Sequence, residues 1–198
     1  MLPIVHRVNS IDELKNTPKH FGIEFDLHAY GKEIIVHHDA FQKGCLFSEF
    51  LDHYRHNLMI VNIKEEGIEY KVYNELNKRK LKNFFFLDIP FPALIRFQKE
   101  TNENRAAIRV SKYEHLSTAL KLSDKFQWIF VDLMDNKYPI SKIEHNLLKS
   151  KGYKFCLVSP ELWKRNDDMI LELKKELKHL EIEIEAILTK KPNKWINE

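Results

Sequence analysis

Apolar and polar positions follow a repeating order along the chain: a short apolar run of strand length, then a stretch of helical periodicity, then the next run. The runs cover residues 4–7, 22–28, 58–64, 84–88, 106–110, 128–133, 153–159 and 185–189. Each is rich in Ile, Val, Phe or Leu and reads as a strand of a parallel sheet buried on both faces. Between them, residues 68–80, 91–100, 115–121, 142–150 and 167–179 read as helices. The last has the sharpest face, with Met169, Ile170, Leu173, Leu177 and Leu180 on one side and Glu and Lys on the other. Asp167 precedes it as an expected N-cap. A further apolar run at 34–38, just after Gly31, predicts a short hairpin extending the second strand.

Eight strands in strict alternation with helices predict an α/β chain closed into a (β/α)8 TIM barrel. With 198 residues there are about 25 per unit, so the barrel is small and its loops short. A doubly wound open sheet is the second arrangement compatible with the same order. No linker, repeat or low-complexity stretch interrupts residues 1–198, which are expected to form a single domain.

Composition narrows the function classes. Hydrophobic residues make up 43% and charged residues 31%, which excludes a disordered chain. Thirty-two Lys and Arg against 29 Asp and Glu leave +3, spread without a basic block, so no nucleic-acid partner is expected. No apolar run reaches the roughly 18 residues of a membrane span, and no stable membrane insertion is expected. The N-terminus lacks the pattern of a signal peptide, and Cys45 and Cys156 are distant and unpatterned, both fitting a cytoplasmic protein. Five glycines include neither a P-loop nor a dinucleotide fingerprint.

The chemistry sits where polar residues interrupt buried strands. Glu24, Asp26 and His28 share one face of the second strand, because side chains alternate with period two. Two carboxylates about 6–7 Å apart along a strand can converge on one hard cation. His6-Arg7 ends the first strand, Asn62 and Lys64 share a face of the third, and His37-His38-Asp39 follows the hairpin. In a barrel these ends open onto one rim. Histidines suit proton transfer near neutral pH, while a cation with Arg7 and Lys64 would hold a phosphate. The residues point to phosphoryl or phosphodiester chemistry. The competing reading makes Glu24 and Asp26 a structural ion-pair network with Arg7 and Lys64, and His6 a satisfied buried histidine.

The ordered set His6-Arg7, Glu24-Phe25-Asp26 and His38-Asp39, followed by Asn62-Ile63-Lys64 and a final Thr189-Lys190-Lys191-Pro192, resembles the glycerophosphodiester phosphodiesterase family. That family belongs to the wider superfamily of phosphatidylinositol-phospholipase-C-like phosphodiesterases, which are (β/α)8 barrels. The resemblance is strongest over residues 4–64. It implies that His6 and His38 are the general acid/base pair, that Glu24, Asp26 and Asn62 hold a divalent metal (Mg2+ or Ca2+), and that Arg7 and Lys64 contact the substrate phosphate. The implied substrate is a small phosphodiester. Three departures stand out: Val8 follows His-Arg in place of glycine, Asn62 stands where the family has Glu, and the segment 40–57 is too short for the family's usual insertion. The last two departures motivate a second function, a catalytically weak barrel binding a phosphorylated ligand in envelope or capsule biosynthesis.

Other positions carry two readings. Asp88, Arg109 and Asp132, near later strand ends, are substrate contacts or helix caps and ion pairs. Trp163 is an aromatic wall for a ligand or a packing residue. Phe84-Phe85-Phe86 is expected in the core, and the Glu/Lys-rich run 172–185 is a solvated helix face.

Overall fold

A computed structural model describes residues 1–135 and 137–196. The chain opens with β1 (Leu2–Val5), and the packing divides inside that strand. Val5–Arg105 form one compact unit, and Met1–Ile4 with Ala106–Glu198 form the other.

In the Val5–Arg105 unit, α1 (Ile11–Asn16) starts on Ser10, whose hydroxyl accepts from the Glu13 N–H at 3.1 Å. Ser10 and Glu13 have capping-box spacing, which compensates for a helix too short to persist by propensity alone. β2 (Gly22–Tyr30) and β3 (Glu33–Val36) form the expected hairpin. Its two-residue turn uses Gly31 at φ +63°, a conformation that favours glycine. β4 (Cys45–Leu46) adds a second antiparallel pairing on β3 that the apolar pattern, with only two residues to read, does not reveal. After α2 (Phe47–Asp52) come β5 (Met59–Ile63), α3 (Glu69–Lys78), β6 (Phe84–Leu87) and α4 (Phe91–Thr101). The strand order is β4-β3-β2-β5-β6, with β2, β5 and β6 parallel. The sheet is therefore mixed, not purely parallel. The core is aromatic: Phe25 packs against Phe50 with ring centroids 4.8 Å apart, and Phe86 meets Phe97 edge-on at 5.5 Å. Phe84, Phe85 and Phe86 are all buried, as expected.

The second unit alternates β7 (Ala107–Val110), α5 (Ser117–Lys121), β8 (Trp128–Val131), α6 (Lys142–Ser150), β9 (Lys154–Val158), α7 (Asp168–His179) and β10 (Ala186–Thr189). β7 through β10 are parallel, each beside the next, and Leu2 N–H donates to the Glu185 carbonyl at 2.7 Å to hold β1 beside β10. α6 matches its predicted span, and its capping box runs from Ser141 to Glu144. α7 also forms as predicted, with Asp167 at the N-cap position, but the Asp167 side chain makes no capping hydrogen bond. Its carboxylate is drawn into ion pairs with Lys191 and, at 2.6 Å, Lys194, because two cations are a stronger attraction than one backbone N–H. All eight predicted runs overlap a strand, the first only at Ile4 and Val5, so His6 and Arg7 follow β1 and do not end it. Among the described residues, no helix is long and apolar enough to cross a membrane.

Candidate active site

The seven residues singled out on the early strands all belong to the Val5–Arg105 unit: Glu24 and Asp26 lie within β2 and Asn62 within β5, while His6, Arg7, His38 and Lys64 lie just past strand ends. β2 organises them. It is buried from Gly22 to His28, paired with β5 over Ile23 to Leu27 and with β3 from Leu27 onward, so its polar residues sit within the sheet. Glu24 is 0% and Asp26 1% exposed. The parallel register with β5 sets Asp26 beside Asn62, and side chains of registered neighbours share a face.

Every oxygen of this carboxylate pair has a defined neighbour. Glu24 Oε2 accepts the Arg7 backbone N–H at 2.8 Å, and Oε1 accepts from Asn62 Nδ2 at 2.9 Å. His6 Nε2 lies 3.9 Å from Glu24 Oε2. Asp26 Oδ1 pairs with Lys64 Nζ at 3.1 Å, and Oδ2 accepts from Asn9 Nδ2 at 2.8 Å. Arg7 reaches Glu24 through its backbone because it adopts a left-handed conformation at φ +59°, which turns the chain immediately after β1. Val8, in the position where the resembled family has glycine, is buried and donates its N–H to the Glu24 carbonyl at 2.8 Å.

Electrostatically the pair is under-neutralised. Burial, then the neighbouring Asp26 charge, push the Glu24 carboxyl up to about 7; the Asn62 and Arg7 hydrogen bonds and the Lys64 charge oppose this only in part. Asn62 Oδ1 is buried and accepts no hydrogen bond. Two buried carboxylates and an unpartnered amide oxygen form a hard-oxygen donor set suited to a divalent cation. Among the described residues no three His, Cys, Asp or Glu side chains cluster as metal ligands, so this set depends on the Asn62 amide as its third member.

His38 lies in the loop between β3 and β4. Its Nε2 is 2.5 Å from Arg7 Nη2, and its Nδ1 is 2.7 Å from Asp39 Oδ1. A guanidinium only donates, so Nε2 presents its lone pair and the proton sits on Nδ1, directed at Asp39. The hydrogen bond from His38 is the main reason that the Asp39 carboxyl is held below its ordinary range. His37 takes a different part: its backbone N–H donates to the Asp26 carbonyl at 3.0 Å, and its ring accepts the Asp39 N–H at 3.0 Å. His28 braces the same loop, its Nε2 donating to the His38 carbonyl at 3.0 Å.

Two contributors escaped the sequence reading. Asn9 clamps Asp26 from both sides, its Oδ1 also accepting the Asp26 N–H at 2.9 Å. Glu65 accepts the Ala29 N–H at 2.9 Å and lies beside His28. Asn9 is 17 positions from Asp26, and nothing local in the sequence links them; its place two residues after His-Arg was the one available signal.

The later candidates belong to the second unit. Arg109 pairs with Asp132 at 2.7 Å, and the Trp163 indole donates to the other Asp132 oxygen at 2.7 Å. Trp163 is thus tethered at its polar edge while 43% exposed. Thr189 donates to Glu161 at 2.5 Å, and the Lys190 N–H donates to the same carboxylate oxygen at 3.0 Å. Asp88 follows β6 with φ +59° in the first unit.

No family model and no curated protein matches the sequence. The fold does match solved structures. A glycerophosphodiester phosphodiesterase from Agrobacterium tumefaciens aligns with TM-score 0.70 at 13% identity, over 98% of this chain and 99% of its own. A phosphodiesterase from Oleispira antarctica, solved with its product sn-glycerol-3-phosphate, aligns with TM-score 0.67 at 15% identity, over 98% and 94%. A glycerophosphoryl diester phosphodiesterase from Parabacteroides distasonis gives 0.70 at 11%, over 98% and 84%. The chain therefore has an α/β fold like that of glycerophosphodiester phosphodiesterases along nearly its whole length.

Proposed function

We propose that the protein is a phosphoric diester hydrolase acting on a small glycerophosphodiester-like substrate, with His6 and His38 as the general acid/base pair. The observation that carries the proposal is the meeting of His6, Arg7 and Lys64 at the buried Glu24–Asp26 pair, with His38 joined to it through the Arg7 guanidinium. The fold likeness supports the same class and does not favour the binding-only reading. In this proposal the eight parallel strands constitute one (β/α)8 barrel, residues 1–198 one domain, and the cytoplasm its location.

Glu24, Asp26 and Asn62 are the proposed holders of a divalent cation, Mg2+ or Ca2+. When bound, such a cation neutralises the carboxylate pair and stabilises negative charge on the phosphodiester. Arg7 and Lys64 bind the phosphate, and Arg7 has a second effect. At rest its guanidinium occupies the Nε2 lone pair of His38. Donating instead to an arriving phosphate, it frees Nε2 to take up a proton, which Asp39 stabilises from the Nδ1 side. His6 removes the proton of the substrate hydroxyl adjacent to the ester. That oxygen bonds to phosphorus as the bond to the leaving alcohol breaks, and His38 gives its Nε2 proton to the departing oxygen. Water then opens the cyclic diester with the two roles reversed, yielding a phosphomonoester.

The test is hydrolysis of an aryl phosphodiester and of glycerophosphodiesters by the purified protein, with Mg2+, Ca2+ or Mn2+ and with chelator. Metal-dependent turnover that is lost in His6→Ala is expected. A folded protein inactive with every metal and substrate overturns the proposal.

A further inference from the structure

Among the described residues, seven non-glycine positions have positive φ: Arg7, Phe41, Lys80, Asp88, Asn102, Lys164 and Glu181. Four of these terminate helices, where a left-handed residue satisfies the last carbonyls: Asn102 and Lys164 are C-caps, and Lys80 and Glu181 follow one. The other three lie in the Val5–Arg105 unit beyond strand ends. Arg7 and Asp88 are polar. Phe41 is bulky, so the left-handed conformation is least natural for it, and it is 95% exposed. Folding gains nothing from its ring, and no helix end calls for its backbone. Strain without a packing return is a mark of a functional contact.

The place of Phe41 says what that contact would be. It stands three residues after His38, so their Cα atoms are at most about 11 Å apart. The loop bearing both is pinned at its two ends. Val36 pairs with Cys45, and a Cβ on Gly44 would come within 2.2 Å of the Val36 carbonyl oxygen, so that end closes as tightly as a backbone allows. At the other end, His37 donates to Asp26 and His28 donates to the His38 carbonyl. The loop is thus held at both ends, and Phe41 stands within this reach of His38, the residue to which the mechanism above assigns the leaving alcohol.

We propose that Phe41 is the specificity-determining contact for the leaving alcohol, selecting phosphodiesters whose alcohol carries an apolar chain. This rests on the phosphodiesterase reading. The chain is free to come from a soluble ester or from a single-chain phospholipid, since the ring meets the same methylene groups in both.

The probes are two non-hydrolysable phosphonates with a glycerol arm and either a hexyl or a hydroxyethyl arm. Their binding to the full chain is measured by calorimetry with the chosen divalent cation. Wild type should prefer hexyl by at least ~10-fold, the scale expected for covering a few methylenes. Phe41→Ala and Phe41→Asn should bring that preference close to unity, Phe41→Leu should retain part of it, and Ile143→Ala, an exposed apolar residue on α6, should leave it intact. Both Ala and Asn variants should fold, because Phe41 buries nothing and Asn tolerates its backbone. Equal affinity for the two arms in a protein that hydrolyses diesters overturns the role of Phe41 alone. Failure to bind either arm, together with no diester turnover, overturns the phosphodiesterase reading and with it this proposal. Phosphatidylglycerol vesicles provide a further arm: vesicle binding lost in Phe41→Ala while the hexyl preference survives would make Phe41 a membrane anchor and reject the proposal.

Discussion

Glu24 gives the sharpest physical test, because it sets the stability of the fold against the chemistry of the site. Its carboxyl is raised from an ordinary 4.5 to about 7 by burial first and Asp26 second. The unfolded chain releases that proton near the ordinary value, whereas the folded chain keeps it to near neutrality. Stability from the protonated group is therefore complete at pH 4 and is lost as pH rises towards and through 7. The difference corresponds to roughly 3 kcal/mol at pH 8. Glu24→Gln removes the ionisation. Its amide oxygen can keep the Arg7 N–H, and its NH2 can donate to Asn62 once that amide rotates to present Oδ1. In chelator, urea unfolding at pH 8 should find Glu24→Gln more stable than wild type by about 2 kcal/mol, with the gap closing towards pH 4.5. Added Mg2+ or Ca2+ should stabilise the wild type at pH 8 and the variant much less, while the variant loses turnover. A pH-independent gap, or wild type the more stable at pH 8, refutes the electrostatic account of the pair.

Other outcomes follow from single contacts. His6→Ala and His38→Ala should each lower kcat by at least ~10²-fold, the usual scale of acid–base catalysis, with folding unchanged by circular dichroism. Asn62→Glu places a third carboxylate beside Glu24; it should lower the melting temperature in chelator and tighten Mg2+ or Ca2+ binding by about 10-fold or more in calorimetry. Gly44→Ala drives a Cβ into the Val36 carbonyl and should destabilise the fold by about 2 kcal/mol in urea titration, with activity falling further as the His38 loop shifts. Phe25→Ala opens a cavity against Phe47 and Phe50 and should cost about 3–5 kcal/mol by the same titration.

Apolar runs separated by helical periodicity were enough to locate a strand in or beside each of the eight predicted runs and the hairpin at Gly31, because burial on both faces leaves an uninterrupted signature. Period two was enough to put Glu24 and Asp26 on one face, and the ordered His, Arg, Glu, Asp and Lys positions were enough to suggest phosphodiester chemistry. Where local preference competes with distant charge, the sequence was a poorer guide. Asp167 takes the N-cap position it reads as, yet its carboxylate goes to Lys191 and Lys194 and not to the helix. β4 and α2 are too short for periodicity to register. Asn9 reaches Asp26 only because the left-handed Arg7 turns the chain back over β2. The tautomer of His38, the unpartnered oxygen of Asn62 and the exposure of Phe41 are likewise invisible in the linear order. Periodicity records which side of an element is buried, which is a property of neighbours along the chain. Partners at hydrogen-bond distance are set by where separate strands end, and only the packed sheet brings those ends together.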